Sequence, residues 1–490
     1  MLTQKIKFIA IIVITTASIA SADFKFQLQW NPEREIVPQS GRLFLFLSQR
    51  QGGQLINGPN WFHPEPFLRQ DFSNWKPGET RTISLEVDTF PVPLAELPPG
   101  EYRVQALFDL DFSCQLSHLR SGNWASKVEM LNYQGTETPP FSITLDREIE
   151  GEYLPETLLR KVVEVPSDLL TDALQELTSM RAAIHLPEHY HQEPNKRYAV
   201  LFIIPGFGGS LSNTPLVEGP AQYDLIQVVL DASCPWGHHV FADSATNGPR
   251  GTALVEEFLP WIDQNFRTIG TPETRFLTGV SSGGWSSLWL QVEYPEAFGG
   301  VWSIAPDPVD FRDFQQINLY SEAPKNLFTT ADGYRRPLAH TRRRPIIFFD
   351  DFSQMEEVLG RGGQLRSFEA VFSPLDGEGK PQKLWNRETG AIDLQVAESW
   401  RKYDISDKLK REWKEIGPQL KRKIHIVVGK QDTFYLTGAV RLLKQELAAL
   451  GSDAEVDLVP GDHFSLWTAP RLQEMREAMD LKIWKATRNN

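Results

Sequence analysis

Apolar and polar residues alternate in short runs through the first part of the chain. Residues 24–30 read Phe-Lys-Phe-Gln-Leu-Gln-Trp, and residues 81–87 repeat the period-2 pattern as Arg-Thr-Ile-Ser-Leu-Glu-Val. A period of two places alternate side chains on one face of a strand. Residues 42–48 are a denser strand, and 102–110 and 139–145 are two more. Gly, Pro and Asn clusters such as Pro98-Pro99-Gly100 separate the runs. Short strands at this spacing predict an all-β, sandwich-like unit over residues 23–149. Trp61, Phe62 and Trp75 lie within it; such aromatics stack on sugars in some β modules and more often pack in a core.

The period changes after an acidic, irregular stretch, placed as a linker at 150–158. Strands are expected at 159–165 and 180–186. Residues 196–204 include Arg-Tyr-Ala-Val-Leu-Phe-Ile-Ile, continuous enough for burial on both faces. Strands at 225–231, 275–278, 299–304, 423–428 and 454–459 then alternate with helical patterns at 251–266, 285–293, 435–450 and 470–485. In the first helix Leu254, Phe258, Trp261 and Ile262 point inward; in the second Leu288, Trp289 and Val292 share a face. Alternating strands and helices predict an α/β architecture with a doubly wound, mostly parallel sheet over 159–490. Residues 306–420 interrupt the alternation, with Gly360-Arg361-Gly362-Gly363, a polar loop at 376–386 and a helical run at 394–402. That insertion leaves from the strand following 285–293 and is expected to cover a site as a cap.

The 490 residues accommodate one to three domains. A net charge of -13 argues against a nucleic-acid partner. Lys5 and Lys7 precede an apolar run at 8–14, and Ala20-Ser21-Ala22 offers a small-residue cleavage site. This is the pattern of a signal peptide at 1–22, so a secreted or periplasmic protein without stable membrane insertion after cleavage is expected. Cys114 and Cys234 fall in different predicted units; buried thiols are favoured over a bridge. No zinc-ligand spacing is present, and no metal is expected.

The chemistry centres on Gly279-Val280-Ser281-Ser282-Gly283, a G-x-S-x-G pattern between a strand and a helix. That context is the nucleophile elbow of α/β-hydrolases, a sharp turn that lifts a serine hydroxyl clear of the sheet. A serine hydroxyl needs a base and a group to orient it. In the chain order serine, acid, histidine, Asp432 follows the strand 424–428 and His463 follows the strand 454–459. Both stand at carboxyl ends of strands, where such sheets build their sites. His238 and His239 precede the serine, His340 lies in the insertion, and Asp462 beside His463 reads as solvated. The oxyanion hole is expected from the backbone N–H groups of Ser282 and of Phe207, in Pro205-Gly206-Phe207-Gly208-Gly209. No G-K-[ST] follows those glycines, which excludes a phosphate loop.

Ile204-Pro205-Gly206-Phe207-Gly208-Gly209, Gly279-Val280-Ser281-Ser282-Gly283-Gly284, Gly429-Lys430-Gln431-Asp432 and Asp462-His463 together resemble the putative esterase family, which includes esterase D, feruloyl and acetyl-xylan esterases, enterochelin esterases and mycolyltransferases. The resemblance runs from about Val162 to the C-terminus, outside much of the insertion. Relatives often carry histidine where Pro205 stands, and a histidine or glutamine-like residue where Val280 stands. The resemblance implies an α/β-hydrolase fold, no cofactor, and acyl-ester chemistry on a small-molecule or glycan-linked ester, carbohydrate-linked or siderophore-like. Acyl transfer to an alcohol, a peptidase, and a non-catalytic protein that kept the fold are the competing readings. Arg335, Arg336, Arg342, Arg343 and Arg344 in the insertion form a basic cluster that would suit an acidic substrate, or a solvated loop.

Overall fold

The run Leu-Phe-Leu-Phe-Leu at 43–47 shows how the molecule is assembled. It lies in the strand Gln39–Ser48, and both faces of that strand are buried. Alternate side chains point to opposite faces. Leu43, Leu45 and Leu47 enter one apolar cluster, while Phe44 and Phe46 enter another that extends through the rest of the chain. The computed structural model describes residues 24–32, 36–321, 326–342 and 344–488. The export segment expected at 1–22 lies outside the described residues.

The first region forms a nine-stranded sheet. Its strands pair antiparallel, except that Phe26–Trp30 runs parallel to Phe141–Glu148. Trp30, Trp75, Phe108 and Trp124 knit the inner face, with Trp75 and Phe108 ring centres 5.0 Å apart and Trp30 and Phe108 5.7 Å apart. Trp75 is fully buried, and its indole N–H donates to the Glu79 carbonyl at 2.8 Å. It is therefore a core residue and offers no ring face to a sugar. The strand expected at 81–87 stops at Ile83: Thr80–Ile83 is followed by a turn and then by a second strand, Asp88–Phe90. They pair at opposite edges of the sheet, the first with Phe26–Trp30 and the second with Phe67–Trp75. A continuous alternation cannot reveal that the chain crosses a sheet midway.

The outer face of this sheet is not solvated. Phe44, Phe46, Phe67, Phe90 and Leu107 pack into the same cluster as Phe352, Met355 and Val358 of the helix Phe349–Leu359. Fully burying one such side chain contributes about 1.5–3 kcal/mol. Arg42 and Arg69, from adjacent strands, donate to the carbonyls of Leu359 (3.2 Å) and Glu357 (3.4 Å). Those carbonyls end the helix, where partners are lacking and cations are favoured. Between the two regions, Glu152 accepts from the Ser212 amide at 2.7 Å and pairs with Arg181 at 3.2 Å.

The second region is built on an eight-stranded mixed sheet in the order Arg160–Pro166, Ser179–His185, Leu225–Leu230, Ala199–Ile204, Arg275–Val280, Gly300–Ile304, Ile424–Gly429, Glu455–Val459. Ser179–His185 pairs antiparallel with both its neighbours, and the other pairings are parallel. The helix Ser282–Glu293 follows the central strand and is buried almost all round. Trp285 and Trp289 stack on each other at 5.2 Å, and on the far side they meet Phe372 and Tyr403 of the segment 306–420. That segment holds the hairpin Pro337–Thr341 with Arg344–Phe348 and the helices Phe349–Leu359, Gln364–Phe372, Leu394–Ser399 and Ile405–Ile416. Ile405–Ile416 lies against Ser282–Glu293 and Thr437–Ala449, within the helical layer beside the sheet. Gln364–Phe372 instead reaches the carboxyl edge of the sheet. Cys114 and Cys234 are both buried and unbridged.

Candidate active site

Ser281 sits between Arg275–Val280 and Ser282–Glu293 with φ 60° and ψ -123°. This left-handed backbone is costly for a residue with a Cβ. Three backbone bonds pin it: the Ser281 amide donates to Ile304 O at 3.0 Å, and its carbonyl accepts from Trp285 N at 2.9 Å and from Asp307 N at 3.2 Å. The motif glycines permit close approach. A Cβ on Gly283 would lie 2.0 Å from the Ile204 carbonyl oxygen, and one on Gly279 would lie 2.3 Å from that of Gly283.

Two loops leaving neighbouring strands bring Asp432 and His463 together. His463 Nδ1 lies 2.8 Å from Asp432 Oδ2, and both side chains are nearly inaccessible. Asp432 Oδ1 accepts from the amides of Phe434 (2.9 Å) and Leu436 (3.3 Å). The carboxylate, already accepting from two amides, also accepts a hydrogen bond from Nδ1–H, which leaves Nε2 as an acceptor. Phe434 packs edge-on to the imidazole at 4.8 Å and Phe464 at 5.2 Å.

The rival residues occupy supporting positions. His340 Nε2 lies 2.9 Å from the Asp432 carbonyl oxygen, tying the insertion hairpin to the acid-bearing loop. His238 Nε2 lies 2.9 Å from the Pro205 carbonyl oxygen, and its Nδ1 accepts from Val240 N, so it holds the 205–209 turn as a neutral ring. Burial pushes His238 down to about 4 and holds His239 well below its usual range. Asp462 is exposed and serves its own turn, accepting from Phe464 N at 3.2 Å.

One residue escaped the sequence reading. Asp307 follows Gly300–Ile304 and is buried against the serines of the elbow. Ser281 Oγ donates to its Oδ1 at 3.2 Å, and Ser282 Oγ to its Oδ2 at 2.5 Å. Gln364 Nε2, from the insertion, donates to Asp307 Oδ2 and to Ser282 Oγ, each at 3.1 Å. Among the described residues the Ser281 hydroxyl thus bonds Asp307 rather than His463. Burial pushes the Asp307 carboxyl up, opposed by the Ser282 hydroxyl and by nearby His463. The available signal was an aspartate between two prolines, just past the strand after the elbow.

A cavity of about 800 Å³ opens above Ser281. That lies in the range of small-molecule sites. Leu338, Phe352, Leu365 and Phe368 of the insertion line it, as does Phe207. Asp307 and the His463 imidazole are its only titratable acid and base apart from His118, and no arginine or lysine lines it among the described residues. Arg335 pairs with Asp350 at 2.6 Å, and Arg336 donates to the Thr329 carbonyl at 2.9 Å. Arg335 and Arg336 are thus engaged elsewhere, and neither they nor Arg342 and Arg344 line the cavity.

A family model described as "Putative esterase" matches residues 177–476. The chain belongs to the putative esterase family. That family is described as one of esterases. It is 29% identical over 133 residues to an endo-1,4-beta-xylanase/feruloyl esterase of Xylanibacter ruminicola, a match covering 24% of this chain and 18% of that protein. It is 31% identical over 81 residues to the uncharacterized protein YbbA of Bacillus subtilis, covering 16% of this chain and 32% of that one. The chain thus spans under a third of either relative's length. Among solved structures, a ferulic acid esterase aligns at 13% identity with a TM-score of 0.38, over 67% of this chain and 100% of that one. An S-formylglutathione hydrolase from Agrobacterium tumefaciens aligns at 14% identity and a TM-score of 0.38, over 67% and 97%. No helix among the described residues of this esterase is long and apolar enough to cross a membrane.

Proposed function

We propose that this esterase is an exported serine carboxylic-ester hydrolase working through Ser281, His463 and Asp432 and an acyl-enzyme, on a small-molecule or glycan-linked ester. The observation that carries the reading is the buried 2.8 Å contact between His463 Nδ1 and Asp432 Oδ2 at the sheet edge that also bears the strained Ser281. The Ser281 hydroxyl turns from Asp307 to His463 Nε2 and gives it its proton as Oγ attacks the ester carbonyl. The charge that develops on the carbonyl oxygen is held by the backbone N–H groups of Ser282 and Phe207. Ser282 opens a helix, so its amide has no partner within that helix. The tetrahedral species collapses, the C–O bond to the alcohol breaks, and His463 returns the proton to the leaving oxygen. Water then repeats the sequence on the acyl-enzyme and releases the acid. The segment 306–420 acts as a cap through its Gln364–Phe372 helix, and export rests on the pattern at 1–22.

Covalent labelling by a fluorophosphonate tests the reading. Wild type should label stoichiometrically, and Ser281→Ala should neither label nor hydrolyse ethyl acetate, with a loss on the order of 10⁴–10⁶ in kcat. Turnover near wild type by folded Ser281→Ala would remove this serine from the mechanism.

A further inference from the structure

Trp61 and Phe62 belong to neither of the fates their sequence context offered. They are not in the core of the N-terminal sheet, and they do not form a separate sugar-binding face. Their loop, 49–66, joins the antiparallel strands Gln39–Ser48 and Phe67–Trp75. A tight turn would suffice there, and loops this long without secondary structure usually carry function.

The loop is anchored rather than loose. Gln105 Oε1 accepts from Leu55 N at 2.7 Å, Arg103 Nη1 donates to the carbonyls of Arg50 and Gly52 at 3.0 and 2.7 Å, and Ile56 is buried. Asn60 Oδ1 accepts from the amides of Phe62 (3.0 Å) and His63 (3.1 Å), shaping the tip. The tip enters the esterase cavity. Trp61 lies 5.1 Å from the ring of Phe207, in the turn beside Ser281, and meets Phe352 edge-on at 5.2 Å. Phe62 stacks on Phe434 at 6.0 Å and meets Phe464 at 6.0 Å, the two rings that flank His463. One loop of the N-terminal region thus bridges the turn at 205–209 and the rings around the histidine, across a cavity that no cationic arginine or lysine side chain enters among the described residues.

We infer that the loop carrying Trp61 and Phe62 is a specificity-determining wall of the ester site, which holds a bulky, uncharged, apolar group of the substrate. The inference rests on Ser281 being the nucleophile of this cavity. It makes the N-terminal sheet part of the catalytic unit.

The test uses the full chain and two neutral esters, ethyl acetate and ethyl 3-phenylpropanoate, with acid release followed by titration. The readout is the ratio of kcat/KM for the larger ester to that for the smaller, which does not depend on the fraction of enzyme folded. In Trp61→Ala and Phe62→Ala this ratio should fall about tenfold or more, since pocket contacts of this size discriminate by that order. Trp61→Leu, which keeps apolar volume against Phe352, is measured beside them in case Trp61→Ala does not fold. A fall of threefold or more in the variants at either position supports the inference; a smaller change at both overturns it. Ser281→Ala is assayed on both esters in parallel. Retained hydrolysis there would defeat the nucleophile assignment, whereas a ratio unmoved by the loop variants with Ser281→Ala inactive would defeat only the role of the loop.

Discussion

Two buried carboxylates stand near Ser281, the proposed nucleophile, and the chain order serine, acid, histidine admits either as the acid. Their contacts assign different roles. Asp432 touches the proposed base, at 2.8 Å from His463 Nδ1, and Asp307 touches the serine hydroxyls. In Asp432→Asn the new amide keeps an oxygen for the Phe434 and Leu436 amides, so its NH₂ faces His463 Nδ1. Nδ1 must then accept, the ring proton moves to Nε2, and the nitrogen meant to take the serine proton can no longer do so. The expected loss is about 10⁴ in kcat, or about 5–6 kcal/mol at 1.36 kcal/mol per tenfold. In Asp307→Asn the new amide still accepts from one serine. Its NH₂ meets the Gln364 amide, whose buried Oε1 has no partner and becomes an acceptor on rotation. The net loss is one charge-assisted hydrogen bond, about 1.5–3 kcal/mol. Because in the proposed reaction the Ser281 hydroxyl leaves Asp307 before it attacks, that loss falls on the ground state and should appear in the melting temperature, with kcat changed by less than about tenfold. The assay is kcat on ethyl acetate for both variants, with melting temperatures alongside to show that each is folded. A larger loss for Asp307→Asn than for Asp432→Asn would refute the assignment and make Asp307 the residue that orients the base.

Gly283→Ala places a methyl 2.0 Å from the Ile204 carbonyl oxygen, between a strand and a helix that cannot separate without unpacking; it should cost more than about 3 kcal/mol and lower the melting temperature by several degrees, and a wild-type melt would disprove the close contact. Phe46→Ala removes a ring at the junction of the two regions and should cost about 3–5 kcal/mol, read as the shift of a chemical-denaturation midpoint; a loss under 1 kcal/mol would mean the faces are not packed. Glu356 receives the Leu365 and Arg366 amides, and burial pushes its carboxyl up to about 7. The folded state therefore holds this proton more tightly than the unfolded chain, whose Glu titrates near about 4.3, so its stabilising contribution is full below that value and is lost as pH rises to about 7. Melting temperature followed across that window should decline less in Glu356→Gln than in wild type; parallel curves would exclude the shift.

The legible parts of the sequence were local ones. Gly279 to Gly283 could be read because an elbow needs small residues within a few positions of the serine, and the contacts of Gly279 and Gly283 bear out that need. The parallel strands could be read because burial on both faces leaves continuous apolar runs such as Ala199–Ile204. Phe67–Trp75 could not, since Arg69, Gln70, Asp71 and Ser73 interrupt its pattern and are only partly buried at most. Helices Phe349–Leu359 and Gln364–Phe372 were obscured by Gly360, Gly362 and Gly363 between them, whose turn brings Gln364 to Asp307. Asp307 itself was hidden because its role depends on a fold of the chain that no spacing rule describes.

The N-terminal region illustrates the remaining limit. Period-2 alternation identifies a strand with one dry face, and the Leu-Phe-Leu-Phe-Leu run departs from it because both faces are dry. Taken literally, that departure says the sheet must be covered on its second side, by a helix or another region. Its sequence cannot say by what. The structure supplies the helix Phe349–Leu359, capped by Arg42 and Arg69. Docking through Phe44 and Phe46 fixes the orientation of the strand Gln39–Ser48, and the loop that leaves its end is carried with it. Trp61 therefore arrives beside Phe207 because of where leucines and phenylalanines fall in a strand that is remote in the chain from Ser281, Asp432 and His463. A packed interface of this kind holds a loop tip far more firmly than a linker would, which is why an aromatic pair from an otherwise separate sheet can line the cavity above Ser281.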